Sequence, residues 1–293
     1  MFKLRTKGDT VFEVVLYILM ALVFLCVAYP LYFIIIASFS DTGKVFSGEI
    51  WLFPVGIQFE GYKRLLDEAR VWTGYRNTIF YTVLGTCISL IISLPAGYAL
   101  SRKDLVGRRG IAVFFIFTMF FSGGLIPTYF TIKNLNMLDT IWALLIPVSV
   151  DVFNLLIIRT FFASTLPQEL LEASQIDGCS NTRFFVQVAL PLSKAIISVI
   201  SLYVAVSYWN QYFAALVYIK DKQLVPLQLV LREILIMNQT MSNRSHDMQG
   251  MLQRIADQMK FAAIIVSTLP ILCFYPFIQK YFYKGIMIGS VKG

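Results

Sequence analysis

Four ionisable side chains, Glu169, Glu172, Asp177 and Arg183, lie within residues 166–192, between two long apolar runs. Each charge held at the centre of a bilayer costs roughly 2.5 kcal/mol or more, so this segment is read as a water-exposed loop that interrupts a membrane bundle. It also reads as a short helix. Thr165 followed by Gln168 has the form of a capping box, Pro167 suits a first turn, and Gly178 offers a left-handed stop. Leu170, Leu171, Ala173, Ser174 and Ile176 are apolar or small, a composition that calls for another surface to cover the helix. Leu190-Pro191 then predicts a second break just before the chain re-enters the bilayer.

Two further polar sets fall inside apolar runs. Asp151 and Asn154 are three residues apart, which places them on one face of a continuous helix, lining an aqueous cavity or gate or clasping two helices together. Arg159, nearer the end of that run, can snorkel to the interface. Tyr203, Ser207, Tyr208, Trp209, Asn210, Gln211 and Tyr212 mix aromatic rings with amides and hydroxyls. Aromatic planes stack on the CH faces of sugars while amides bind sugar hydroxyls, so this set suits sugar recognition; it equally suits an aromatic belt with an amide clasp. No GxxxxGK[ST], H-E-x-x-H or G-x-S-x-G motif occurs, so the chain has no means of its own to hydrolyse ATP.

The elements that must position these residues are membrane spans. Of 293 residues 57% are hydrophobic and only 14% charged, against about a quarter charged in a soluble domain, and the mean hydropathy is +0.69. Apolar runs at about 14–38, 77–101, 111–132, 140–163, 195–219 and 261–279 each approach the roughly 20 residues that cross a bilayer. Six crossings put both termini on one side. Lys3, Arg5 and Lys7, with Arg102, Lys103, Arg108 and Arg109, and Lys280 with Lys284, flank short loops of that side and mark it as cytoplasmic, together with residues 166–192. The first run is too long for a signal peptide and has no small-residue cleavage site, so it is read as a retained anchor.

The second run carries Ser89, Ser93, Pro95, Ala96 and Gly97, which permit close helix approach, and the third is broken at Ser122-Gly123-Gly124 and Pro127. Residues 39–76 are rich in aromatics, including Trp51, Phe53, Phe59 and Trp72, expected to pack at the interface on the bundle mouth. Residues 220–260 read as a polar external insertion with a helix from about Met248 to Gln258. The four cysteines are scattered and His246 stands alone, so packing rather than metal binding explains the cysteines. The net charge of +8 belongs to membrane flanks and points to no nucleic acid.

Glu172, Ala173 and Ser174, then Gly178, Val188, Leu190 and Pro191, with Pro167, Glu169, Leu170, Ile176, Asp177, Phe184 and Leu192 around them, resemble the EAA loop of ABC importer permeases. The flanking residues resemble the version of this loop in oligosaccharide permeases related to the maltose transporter; Ser174 and Cys179 replace residues that are usually alanine there. Trp209, Asn210 and Phe213 resemble the matching span of those permeases, and the tail from Gly285 to Gly293 resembles their glycine-rich C-terminus.

The resemblance implies an all-α integral membrane protein with the six-helix type I ABC importer permease fold. Residues 1–13 form a cytoplasmic tail, 14–284 the transmembrane domain with its coupling loop at 164–194, and 285–293 a second cytoplasmic tail. It implies a second permease subunit as heterodimer partner, two ATPase subunits that bind ATP and Mg, and an extracellular solute-binding protein, all at a bacterial cell membrane. Coupling then falls to Glu169, Glu172, Ala173, Ser174, Asp177, Gly178, Leu190 and Pro191, and the solute path to Asp151, Asn154, Tyr203, Ser207, Tyr208, Asn210 and Gln211. The chain itself is expected to hold no cofactor or metal and to be no enzyme. Two alternatives stand beside this reading: the same architecture carrying a non-sugar solute, and a membrane-embedded transferase, for which only Asp151 would be available as acid or base. A secondary transporter fits less well, because inverted repeats and coupled ion sites are not evident.

Overall fold

The computed structural model describes residues 7–242 and 256–273, and these are helical, with no strand among them. The helices are α1 (Lys7–Ser38), α2 (Thr42–Phe46), α3 (Glu60–Asp67), α4 (Ala69–Ser101), α5 (Arg108–Phe120), α6 (Leu125–Asn134), α7 (Trp142–Leu145) and α8 (Val152–Thr165). They continue as α9 (Gln168–Ile176), α10 (Asn181–Phe184), a π turn over Phe185–Ala189, α11 (Leu190–Leu192), α12 (Lys194–Trp209), α13 (Phe213–Tyr218) and α14 (Leu227–Ser242), and end with α15 (Ala256–Cys273). Helices α1, α4 and α15 are each long and apolar enough to cross a membrane alone.

The other three apolar runs are broken. The third is the pair α5 and α6, bent by 114° at residues 121–124. Gly124 sits there at φ +81° with open space around the position of a Cβ, so the glycine serves a left-handed backbone and not close packing. The fourth run is not one helix: α7 ends at Leu145 and α8 starts at Val152, with Pro147 in the gap. The fifth is split into α12 and α13 at residues 210–212, and α12 itself follows Asn181–Leu192 through an 81° bend just before the run begins. Helix α1 begins at Lys7, inside the stretch read as a tail, and continues through Pro30.

Two compact units divide the chain: residues 1–68 with 233–269, and residues 69–232 with 270–293. In the first, Ile36, Ala37, Val45 and Ile50 form a small core, flanked by Phe33, Val55 and Phe261. The Gln258 amide ties this unit together, donating to Gln58 O at 2.7 Å and accepting from Gly61 N–H at 3.0 Å. The aromatic segment after α2 is held by its backbone rather than its rings. Tyr29 and Tyr32 donate to the carbonyls of Trp51 and Leu52, while the side chains of Trp51 and Phe53 stay exposed, contrary to the packing expected of them.

The second unit is built on α4. Its buried positions, among them Gly74, Thr78, Tyr81, Gly85, Ser89, Ser93 and Gly97, recur at three- and four-residue steps and make one stripe of mostly small side chains. A Cβ on Gly85 would lie 2.5 Å from the Tyr208 ring of α12, and one on Gly97 would lie 2.4 Å from Ile158 of α8. The stripe therefore sets how closely α12 and α8 approach. Near its N-terminal end α4 also holds the irregular segment before α14. Asn77 Nδ2 donates to Gln223 O at 2.6 Å and Val225 O at 3.0 Å, Tyr81 Oη to Leu224 O at 2.8 Å, and Leu227 N–H donates to Thr78 Oγ1 at 2.8 Å. Buried backbone that is not helical must find partners, and these three side chains supply them. Helix α14 occupies residues read from sequence as a polar insertion, while most of the helix expected from Met248, His246 and the C-terminal tail lie outside the described residues.

Candidate functional site

Helix α9 is set apart from α8 by two extended residues, Leu166 (ψ 106°) and Pro167 (ψ 142°). Thr165 is still helical, so it cannot cap, and the expected capping box does not form: Pro167 holds the N-cap position without a side-chain bond. Gln168 Nε2 instead donates to Glu172 Oε1 at 2.9 Å, one turn along the same helix. The C-terminal stop is as expected. Gly178 has φ +75°, Cys179 N–H donates to Ser174 O at 2.9 Å and Gly178 N–H to Gln175 O at 3.0 Å, the paired bonds of a Schellman motif.

No residue of α9 is buried. Glu169, Glu172, Ala173, Asp177 and Gly178 are exposed, Ser174 is half-buried, and Ile176 is 87% exposed. Nine residues are too few for a stable helix on propensity alone, and Leu170 and Ile176 are left uncovered on it. Beneath it the chain passes through α10, the π turn and α11. Pro191 has no N–H to donate, and the turn before it widens, with Leu190 N–H donating to Phe185 O. The bend falls at Ser193, two residues after the Leu190-Pro191 break read from sequence, with Pro191 inside α11.

A cleft of about 220 Å³ separates α9 from the C-terminal end of α4. Gln168, Leu171 and Glu172 form one wall and Tyr98, Arg102 and Asp104 the other. Arg102 grips Asp104 with two bonds of 2.7 and 2.6 Å and donates to Tyr98 Oη at 3.1 Å. The hydrogen bonds from Arg102 hold the Asp104 carboxyl below the usual carboxylate range, and the same pairing raises the Arg102 guanidinium. The Tyr98 ring packs on Phe162 at 5.5 Å and Phe185 at 5.0 Å, which joins α4, α8 and the π turn. In the sequence Arg102 and Lys103 read only as basic flanks of a short loop; an Arg-x-Asp spacing directly after a span is the available signal for this wall.

The residues read as a solute path divide into two groups. Asp151 precedes α8 as its N-cap, Oδ1 accepting from Asn154 N–H at 2.7 Å, so the two do not share a helix face as expected. The reason is the break after α7, which leaves the first N–H groups of α8 in need of an acceptor. Tyr208, 3% exposed, donates to Leu145 O at 2.8 Å, and Gln211 Nε2 to Leu144 O at 3.1 Å. These two bind the free carbonyls at the end of α7. Tyr203, Ser207 and Asn210 recur at four and three residues on one exposed face of α12, and Asn210 Nδ2 also donates to Val206 O at 3.0 Å. Among the described residues no cluster of histidine, cysteine or carboxylates could hold a metal.

The described residues are helical, several of their helices are long and apolar enough to cross a membrane, and α9 stands uncovered beside them. Residues 71–288 match the family described as binding-protein-dependent transport system inner membrane component, and the chain belongs to that family. In Bacillus subtilis (strain 168) it is similar to the polygalacturonan/rhamnogalacturonan transport system permease protein YtcP, with 38% identity over 97% of this chain and 99% of that one. It is similar to protein LplC of the same organism, with 39% identity over 99% of this chain and 97% of that one. Its fold matches a chain in the crystal structure of a bacterial ABC transporter involved in the import of the acidic polysaccharide alginate, with TM-score 0.84, 33% identity and coverage of 96% and 100%. The chain is thus a permease of an ABC import system that includes a solute-binding protein and an ATPase, a transport subunit and not an enzyme.

Proposed function

We propose that this permease passes an oligosaccharide, delivered by an extracellular solute-binding protein, across the bacterial cell membrane. It pairs with a second permease subunit and with two ATPase subunits that bind ATP and Mg. Both termini and α9 face the cytoplasm, where α9 enters a cleft on the ATPase. The observation that carries the reading is α9 itself: a sharply terminated helix with no buried residue and with Glu169 and Glu172 exposed. The cargo class is supported by relatives that carry polygalacturonan/rhamnogalacturonan and alginate.

Glu169, Glu172 and Asp177 meet the ATPase through polar contacts, while Ala173, Ser174 and Gly178 leave room for its approach. Leu190 and Pro191 shape the turn that returns movement to α12. On the path, Tyr203, Ser207 and Asn210 face the solute; Tyr208 and Gln211 hold the wall behind them, and Asp151 with Asn154 fixes the start of α8. ATP binding moves α9 only because the two ATPase states bind it with different affinity. The test is uptake of labelled oligogalacturonides by the assembled complex in proteoliposomes, with ATP turnover measured in parallel. Glu172→Lys is expected to abolish uptake while the complex still assembles in the membrane; unchanged uptake in that variant overturns the reading.

A further inference from the structure

Helix α4 carries a polar clamp at one end and a charged wall at the other. Near its N-terminus Asn77, Thr78 and Tyr81, all buried, make the four hydrogen bonds to residues 223–227 given above. Gly74 lets that backbone come close: a Cβ there would lie 2.9 Å from Leu227 Cα. The same segment is pinned from its other side. Asp139 Oδ1 accepts from the N–H groups of Lys220 and Asp221, both at 2.8 Å, and Asp139 N–H donates to Tyr218 O at 2.9 Å. Residues 220–223 are left exposed at the tip of a turn whose backbone is fixed at both ends.

At the other end of α4, Tyr98 and Arg102 face α9 across the 220 Å³ cleft. From Asn77 to Tyr98 the chain stays helical through Pro95, a distance of about 32 Å at helical rise. A turn with three independent anchors on one helix cannot move without that helix. We infer that α4 is a strut that carries the state of the α9 cleft to the turn at 220–223, with Asn77, Thr78 and Tyr81 as its positioning residues. This rests on the reading that α9 meets the ATPase. The turn then changes its exposure with the nucleotide state, although it lies across the membrane from where ATP acts.

The experiment uses the assembled complex in right-side-out proteoliposomes, with Cys26, Cys87, Cys179 and Cys273 replaced by serine and Lys222→Cys introduced on the turn. The rate of modification of that cysteine by a membrane-impermeant maleimide is compared without nucleotide and after trapping with ATP and vanadate. In the parent, trapping is expected to change the rate about fivefold or more, and in Asn77→Leu with Tyr81→Phe the change shrinks to under about twofold, a scale set by the loss of three modest hydrogen bonds. ATP turnover stays near the parent's. Tyr81→Phe alone, the mildest variant, gives an intermediate change, and Thr78→Ser, which keeps the acceptor, behaves as the parent where Thr78→Val does not.

An unaltered change in the double variant overturns the strut, as does a parent whose turn does not respond to trapping. Glu172→Lys separates the two claims. If it abolishes uptake while the clamp variants respond as the parent, the strut alone fails; if it leaves both uptake and the trapped response intact, the ATPase-docking reading fails with it.

Discussion

Helix α9 and the C-terminal end of α12 both concentrate polar side chains in a chain that is mostly apolar, and they put them to opposite uses. On α9 Glu169 and Glu172 are exposed, Glu172 at the edge of the cleft facing α4, and not one of its nine residues is buried. At the end of α12, Tyr208 and Gln211 turn inward and spend their donors on the carbonyls of Leu145 and Leu144. The difference lies in the neighbouring backbone. Helix α7 stops after four residues, so its carbonyls need partners in a place water does not reach, whereas α9 satisfies its own end through the Gly178 turn. A polar residue in a membrane protein is free to meet a partner only after the local backbone has been satisfied.

That contrast can be broken most sharply at Glu172. Glu172→Lys places like charge where a complementary surface is expected, and uptake should fall by about 100-fold or more, with membrane insertion intact, when transport is measured in proteoliposomes. Gly85→Ala attacks the inward side: with the Tyr208 ring 2.5 Å from the new methyl, we expect roughly 1–3 kcal/mol of lost stability. Thermal unfolding of the purified complex reads this effect, and a variant as stable as the parent would show that α4 and α12 do not meet as described.

Tyr208→Phe and Tyr203→Phe sharpen the comparison within one helix. The first leaves the Leu145 carbonyl without its donor and should cost about 1–2 kcal/mol of stability with KM for solute unchanged. The second, on the exposed face, should raise KM a few-fold and leave unfolding where it was.

The smallest effect is electrostatic. The Asp104 carboxyl, lowered by Arg102, contributes stability that is present above its unfolded pKa and lost as pH falls through the still lower folded value. Asp104 is 63% exposed, so solvent screening limits the pair to roughly a few tenths of a kcal/mol. Asp104→Asn should remove that amount of stability near neutrality, flatten the acid limb of a stability-against-pH curve, and leave no difference from the parent below the folded pKa.

Features with a local cause were readable in the sequence. Gly178 ends α9 because only a left-handed residue closes that turn, and the Gly123-Gly124 break bends the third run for the same kind of reason. Glu169 and Glu172 stood out because nothing apolar nearby could hide them. Features with a tertiary cause were not readable. Asp151 reads as an ionisable group within a span, yet its job depends on the helix break after α7, for which Pro147 is the one signal in an otherwise mostly apolar stretch. Asn77, Thr78 and Tyr81 passed as ordinary helix residues because their partners lie more than 140 positions away. Helix α14 was hidden by composition: its polar C-terminal half reads as loop when taken without the apolar first turns, beginning Leu227, Leu229 and Val230, that anchor it.

The bareness of α9 also bears on the fate of the unassembled polypeptide. A copy without its companions displays Leu170 and Ile176 uncovered on a loop, the kind of site where proteolysis concentrates. Limited proteolysis of the chain alone should therefore cut first at this loop, and a partner that covers the patch should slow that cut.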